Sequence, residues 1–188
     1  MTQGALFAAP ALPPGFTYAE GFLSVEEEAA VLAGIETLEL REAQYKEFTA
    51  KRRVASFGAG YDFDANELTP APVMAPFLLP LRDRMAHWAG EAPEAFGYAI
   101  VAEYRPGTQL GWHRDVPHFE AILGVSLVGP GTMRLRRYPP GPRERTYTLD
   151  LAPRSAYALR GEARWDWQHA IAPTPALRYS ITFRSRRG

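Results

Sequence analysis

The spacing of apolar positions changes character along the chain. Ser24-Val25-Glu26-Glu27 has the form of a capping box, and Val25, Ala29, Leu32 and Ile35 follow at helical spacing. They predict a helix over 25–38. Met74, Phe77, Leu78, Leu81, Met85 and Trp88 share one face of a second helix over 72–89. Residues 52–57, RRVASF, read as a short strand followed by the turn Gly58-Ala59-Gly60. From Tyr98 on the pattern is β-rich, with runs at 98–104, 121–128, 132–138, 145–151, 155–159 and 178–185. Arg105-Pro106-Gly107 and Pro139-Pro140-Gly141-Pro142 punctuate them. Short strands with such turns predict a sandwich or barrel, and the two helices before them can cover one sheet face. No internal repeat is visible. The fold class is α+β, built around a β-sandwich.

Composition narrows the chemistry. A chain of 188 residues favours one domain. The absence of cysteine excludes a disulfide scaffold, thiolate-ligated zinc, an iron–sulfur cluster and a thiol nucleophile. Residues 1–22 are apolar with several prolines and no basic start, and read as a Pro-rich surface arm rather than a signal peptide. No run is long and apolar enough for a membrane span. The expected compartment is the cytoplasm, the expected state a monomer with no obligate protein partner.

The candidate chemistry lies in the second half. Residues i and i+2 of a strand point to the same side, so His113 and Asp115 can present an imidazole and a carboxylate to one metal. His118-Phe119-Glu120 has the same pattern, so this pair alone is weak. His169, after Trp165-Asp166-Trp167-Gln168, would complete a facial triad of two histidines and one carboxylate, the donor set of non-haem Fe(II) oxygenases. In 178–184, strict alternation puts Arg178, Ser180, Thr182 and Arg184 on one face and Tyr179, Ile181 and Phe183 on the other. The second set packs into a core. The first suits a small dicarboxylate, because guanidinium pairs with carboxylate in a bidentate fashion, although an edge strand with solvated arginines has the same pattern.

This constellation resembles the AlkB family of Fe(II)/2-oxoglutarate-dependent dioxygenases. The matching residues are His113, Asp115, His169, Arg178, Ser180, Thr182 and Arg184, with Tyr104-Arg105-Pro106-Gly107 ahead of the first histidine and Gly161-Glu162-Ala163-Arg164 ahead of His169-Ala170-Ile171. The resemblance covers about residues 50–187. It implies a double-stranded β-helix (jelly roll) over about 98–187, with the N-terminal helices packed on one sheet. His113, Asp115 and His169 would bind Fe(II). 2-Oxoglutarate and O2 would be co-substrates, with Arg178 and Tyr104 on the distal carboxylate and Arg184 near the C1 end. The reaction would hydroxylate a C–H bond, and on an N-methyl group would release formaldehyde with succinate and CO2. The family often has Asn at the position of Ala102 and more commonly Asn at that of Ser180, and its repair enzymes carry an acidic residue in the stretch that here reads Val116-Pro117-His118.

The resemblance places a nucleotide-recognition lid at about 44–64. Its Arg52, Arg53, Phe57 and Tyr61, interleaved basic and aromatic, suit a base taken out of its stack, and His118 could line the same mouth. The other reading of this stretch is a strand with Val54 and Phe57 in the core. Arg134 and Arg136 share one face of a hairpin that could touch phosphates or simply be solvated. Charge adds to the picture. Residues 1–100 hold 14 acids and 7 bases, and residues 101–188 the reverse, so the neutral total hides a basic second half. The expected substrate is an alkylated base in DNA or RNA. The alternatives are the same chemistry on a protein side chain or small molecule, and a jelly-roll binding module without turnover.

Overall fold

The computed structural model describes residues 12–45, 48–62 and 67–188, with side chains described outside 43–50 and 61–66. Two antiparallel sheets face one another. The major sheet has the order β1 (Phe16–Ala19), β11 (Ser155–Leu159), β8 (Phe119–Leu127), β13 (Arg178–Arg186), β6 (Tyr98–Tyr104), β3 (Phe48–Phe57), β2 (Arg41–Tyr45). The minor sheet has the order β10 (Tyr147–Leu151), β9 (Gly131–Arg137), β12 (Trp167–Ile171), β7 (Leu110–His113). A separate hairpin pairs β4 (Ala59–Asp62) with β5 (Glu67–Pro70). This is the jelly-roll arrangement expected from the sequence.

Alternation along the central strands makes two cores. One face of the major sheet supplies Val101, Leu123, Val125, Ile181 and Phe183 to a cluster with Val31 and Ile35 of helix α1 (Val25–Glu36) and Leu81 and Met85 of α2 (Leu79–Ala89). The other face supplies Ala102, Tyr104, Ile122 and Tyr157, which meet Met133, Leu135, Trp167 and Ile171 of the minor sheet. Each such fully buried side chain contributes roughly 1.5–3 kcal/mol, so Phe183→Ala should cost about 3–5 kcal/mol.

The helices are specified locally. Ser24 Oγ accepts from the Glu27 amide at 3.1 Å and Glu27 accepts from the Ser24 amide at 2.7 Å, so the capping box forms as expected. Glu28 of the same turn is buried. It accepts from Val128 N–H (2.8 Å) and Arg154 (3.2 Å), two residues with φ of 69° and 61°. The helix thereby fixes two left-handed loop positions that no glycine occupies.

Several expectations change. The second helix begins later than residue 72, because Pro76 biases Ala75 to extended backbone (ψ 138°). A single 3-10 turn, Pro76–Leu78, leads into α2. The Pro-rich arm does not lie wholly on the surface. Residues 16–19 pair with β11 as a sheet strand, and residues 1–11 lie outside the described residues. The stretch 44–64 is built of strands: β3 joins the major sheet, with residues 53–57 paired to β6 and residues 48–54 to β2, and β4 and β5 form a separate hairpin, while residues 46–47 and 63–66 lie outside the described residues. The short strands β7 and β12 and the helix α3 (Gly161–Trp165) were not expected from periodicity.

Candidate metal centre and co-substrate pocket

The two shortest-range features of the site are made by strand pairing. In the minor sheet His113, the last residue of β7, lies opposite His169 of β12, with ring centroids 4.2 Å apart. Asp115 is not in the strand with His113. It sits in the loop two residues past the end of β7, and His169 Nε2 is 3.7 Å from its Oδ2. The three side chains each offer a ligand atom, all within 4.8 Å of one another. Among the described residues this is the cluster of acid and imidazole groups that could hold a metal. The competing pair does not form one, because Glu120 is exposed, accepts from Trp165 and pairs with Arg187.

The loop holding Asp115 is fixed from two sides. Arg184 donates to its carboxylate from Nε (3.0 Å) and NH2 (2.9 Å), and to Thr182 Oγ1 (2.8 Å). Arg164 of α3, only 3% exposed, donates to the carbonyls of Asp115 (3.1 Å), Val116 (2.8 Å) and Phe119 (2.8 Å). Its motif was visible in the sequence, but its role as a backbone clamp was not, since periodicity does not separate a buried arginine from a solvated one.

Electrostatics prepare this donor set for a cation. Burial pushes both imidazoles down, that of His169 to about 3, so both are neutral at pH 7 as ligation requires. Burial alone would raise the Asp115 carboxyl. The Arg184 guanidinium, together with the two imidazoles and Arg164, outweighs it and holds the group well below the usual carboxylate range. The ring nitrogen His113 Nδ1 lies 2.8 Å from the Gly111 carbonyl. A proton there leaves Nε2 as the lone-pair donor.

Between the sheets is a cluster of cationic and polar side chains around Tyr104. Arg178 is 1% exposed; its Nε donates to Ser126 Oγ at 2.8 Å, while its NH1 is buried with no partner. The same guanidinium lies 5.0 Å from the Tyr104 ring centroid. Gly131 stands against it, and a Cβ there would fall 2.7 Å from Arg178 Nε. Arg52 reaches the cluster from β3, with NH1 3.4 Å from Tyr104 Oη and a buried, unpartnered Nε. A buried arginine with an unfilled donor is costly unless an anion completes it. The donor set of the triad fits iron, and the unfilled arginine donors suit the carboxylate of a co-substrate such as 2-oxoglutarate.

The structure sorts the other expected residues. Ser180 and Thr182 face the space between the sheets with Arg178 and Arg184, Ser180 lying opposite Ser126 and Ala102. Arg53 and Phe57 are corrected. Both point to the far face of the major sheet, where Arg53 is bonded to Glu103 (2.6 and 2.8 Å) and Phe57 is buried in the helix-covered core. Period-two alternation separates them from Arg52. The Tyr61 side chain lies outside the described residues. His118 is half-buried in the turn before β8, where its carbonyl accepts from the Arg187 amide.

Comparison with known proteins agrees with this geometry. A model of the 2OG-Fe(II) oxygenase superfamily matches residues 15–184. The chain is 29% identical over 181 residues to the alkylated DNA repair protein ALKBH8 homolog of Arabidopsis thaliana, covering 84% of this chain and 51% of that protein. It is 27% identical over 169 residues to the tRNA (carboxymethyluridine(34)-5-O)-methyltransferase alkbh8 of Xenopus tropicalis, covering 87% of this chain and 26% of that protein. The chain therefore spans about half or less of the length of these relatives. The solved structure of OsALKBH1 shares the fold, with a TM-score of 0.69 at 14% identity over 93% of this chain and 100% of that one.

Proposed function

The chain belongs to the 2OG-Fe(II) oxygenase superfamily and, within it, to the AlkB family, and from this we propose that it oxidatively demethylates an alkylated base in DNA or RNA. It is a dioxygenase that uses Fe(II), 2-oxoglutarate and O2. When bound, the iron supplies oxidative hydroxylation of a substrate C–H bond, coupled to conversion of 2-oxoglutarate into succinate and CO2; on an N-methyl group this ends in loss of formaldehyde. His113, Asp115 and His169 hold the metal. Arg178 pairs the distal carboxylate of the co-substrate through its unfilled NH1 edge, beside Tyr104, with Ser126 fixing the guanidinium plane. Arg184 holds Asp115 ionised and in place. Arg52 adds a second positive charge where Ala102 offers no donor.

The observation that carries the choice of a base is the small space beside the metal ligands. A cavity of about 40 Å³ is lined by Ser56, Tyr98, Ile100, Phe119 and Arg184, with Ala59 and Gly60 of β4 as its outer wall. The Tyr98 and Phe119 rings pack on one another with centroids 5.1 Å apart and give the space an aromatic lining on which an extruded base can lie. The space holds about one water, so the β4–β5 hairpin must shift to admit a ring. The relatives named for alkylated DNA repair and for tRNA support a nucleic-acid substrate. The test is a formaldehyde-release panel of N-methylated DNA, RNA and peptides with Fe(II), 2-oxoglutarate and O2. Release from an oligonucleotide supports the reading, and release from peptides alone replaces it.

A further inference from the structure

The exposed arginines divide the molecule by their partners. On the helix-covered side and along the first half of the chain they are neutralised: Arg41 by Glu39, Arg84 by Glu27, Arg105 by Glu103 and Arg154 by Glu28. Among the described residues, Arg114, Arg134, Arg136, Arg143 and Arg145 have no carboxylate at ion-pair distance. Arg186, exposed on the major sheet, also lacks such a partner, and Arg137 of β9 pairs with Glu162, so the unpaired arginines are enriched on the minor-sheet side and not confined to it.

Two of these arginines belong to the outer surface of the minor sheet, and Arg114 lies in the loop just past β7. Along β9, Gly131, Met133 and Leu135 are buried, and Arg134 and Arg136 alternate outward. Arg136 donates from Nε to Gln168 Oε1 of β12 at 2.9 Å, and its guanidinium lies 4.2 Å from the centroid of Trp112 on β7. Arg114 lies 3.9 Å from the centroid of Tyr138, which is 43% exposed. The acids near this face are Asp150, which accepts from Thr132, and Asp166, whose carbonyl accepts from the Tyr138 amide. Neither is paired with these arginines. Arg114 donates from NH1 to the Trp165 carbonyl at 2.9 Å, so each guanidinium spends one donor on the protein and keeps the others for phosphate, and an adjoining ring offers a surface on which a base can stack.

We propose that this outer face of the minor sheet is a docking track for a single-stranded segment of the nucleic-acid substrate. Arg134, Arg136 and Arg114 take phosphates, and Trp112 and Tyr138 take bases. Trp112 immediately precedes the metal ligand His113 on β7, so their side chains face opposite sides of the minor sheet, and Arg114, in the loop past β7, lies between His113 and Asp115. The inference rests on the reading of the substrate as nucleic acid.

Fluorescence anisotropy with short single-stranded RNA and DNA probes over a salt series tests it on the full chain. The double variant Arg134→Gln/Arg136→Gln should keep its thermal midpoint, bind about tenfold or more weakly at low salt, and show a log–log salt slope shallower by about 1.4. Arg82→Gln, on α2, should bind as the parent does. An unchanged affinity and slope in the double variant overturns the track. So does an equal loss in Arg82→Gln, or a parent chain that binds phosphatidylserine vesicles and neither oligonucleotide. Failure of the formaldehyde panel with oligonucleotide affinity mapped to these arginines removes demethylation and keeps the track; the reverse result removes the track alone.

Discussion

Arg164 holds Asp115 by its backbone: the buried guanidinium donates to the Asp115 carbonyl at 3.1 Å and, from the same edge, to Val116 and Phe119. The Asp115 carboxylate is thereby left to Arg184 and to the metal. Arg164→Met removes the donors and leaves three carbonyls to find water, which should cost on the order of 3 kcal/mol in urea unfolding. Fe(II) affinity of the folded variant should fall, and Arg164→Lys should recover part of both. Unaltered metal affinity in folded Arg164→Met would show that the clamp does not position the ligand.

Arg178 acts on the co-substrate and not on the metal. Arg178→Lys retains a charge but loses the fork that serves Ser126 and the unfilled NH1 edge. The apparent KM for 2-oxoglutarate should rise about tenfold to a hundredfold, with Fe(II) affinity little changed. Steady-state succinate release at saturating iron reads the first, and a metal titration without co-substrate the second.

Gly131 is the floor on which that guanidinium rests. A Cβ there would meet Arg178 Nε at 2.7 Å and Cδ at 3.0 Å. Gly131→Ala should therefore displace Arg178 and raise the KM for 2-oxoglutarate while the protein stays folded. A thermal midpoint together with a co-substrate titration separates this from general destabilisation.

On the other face of the sheet, Glu103 is buried between Arg53, Arg105 and the Tyr179 hydroxyl. The hydrogen bond from Arg53 lowers its carboxyl below the usual value of 4.5, against the opposing effect of burial. A depressed folded-state pKa gives stability that is present above the unfolded value and lost as pH falls through the folded one. Glu103→Gln should be less stable than the parent at neutral pH, and the gap should begin to narrow as pH falls below the ordinary carboxylate value and close as it passes the lower folded-state one. Chemical unfolding at several pH values measures it.

Much of this was legible in the chain because local rules and tertiary packing agree. The capping box at Ser24 and the alternation over 178–184 appear where periodicity puts them, and His113, Asp115 and His169 come together as their donor chemistry suggests, although Asp115 lies in a loop and not in the strand of His113. The failures have physical causes. Four-residue β7 and five-residue β12, which carry the two histidines, are too short to show a period. Arg53 and Phe57 were grouped with Arg52 by composition, although neighbouring strand residues face opposite sides. Arg164 and Ser126 matter through contacts made 45 or more residues away, which no local window contains.

The proposed enzyme couples 2-oxoglutarate turnover to demethylation of nucleic acid. The most direct measurement is succinate and formaldehyde quantified together, with and without an N-methylated oligonucleotide, in the parent chain and in His113→Ala. The account predicts that the oligonucleotide accelerates succinate release, that formaldehyde appears in equal amount, and that both vanish in His113→Ala. Succinate release indifferent to every methylated oligonucleotide, with no formaldehyde formed, would contradict it.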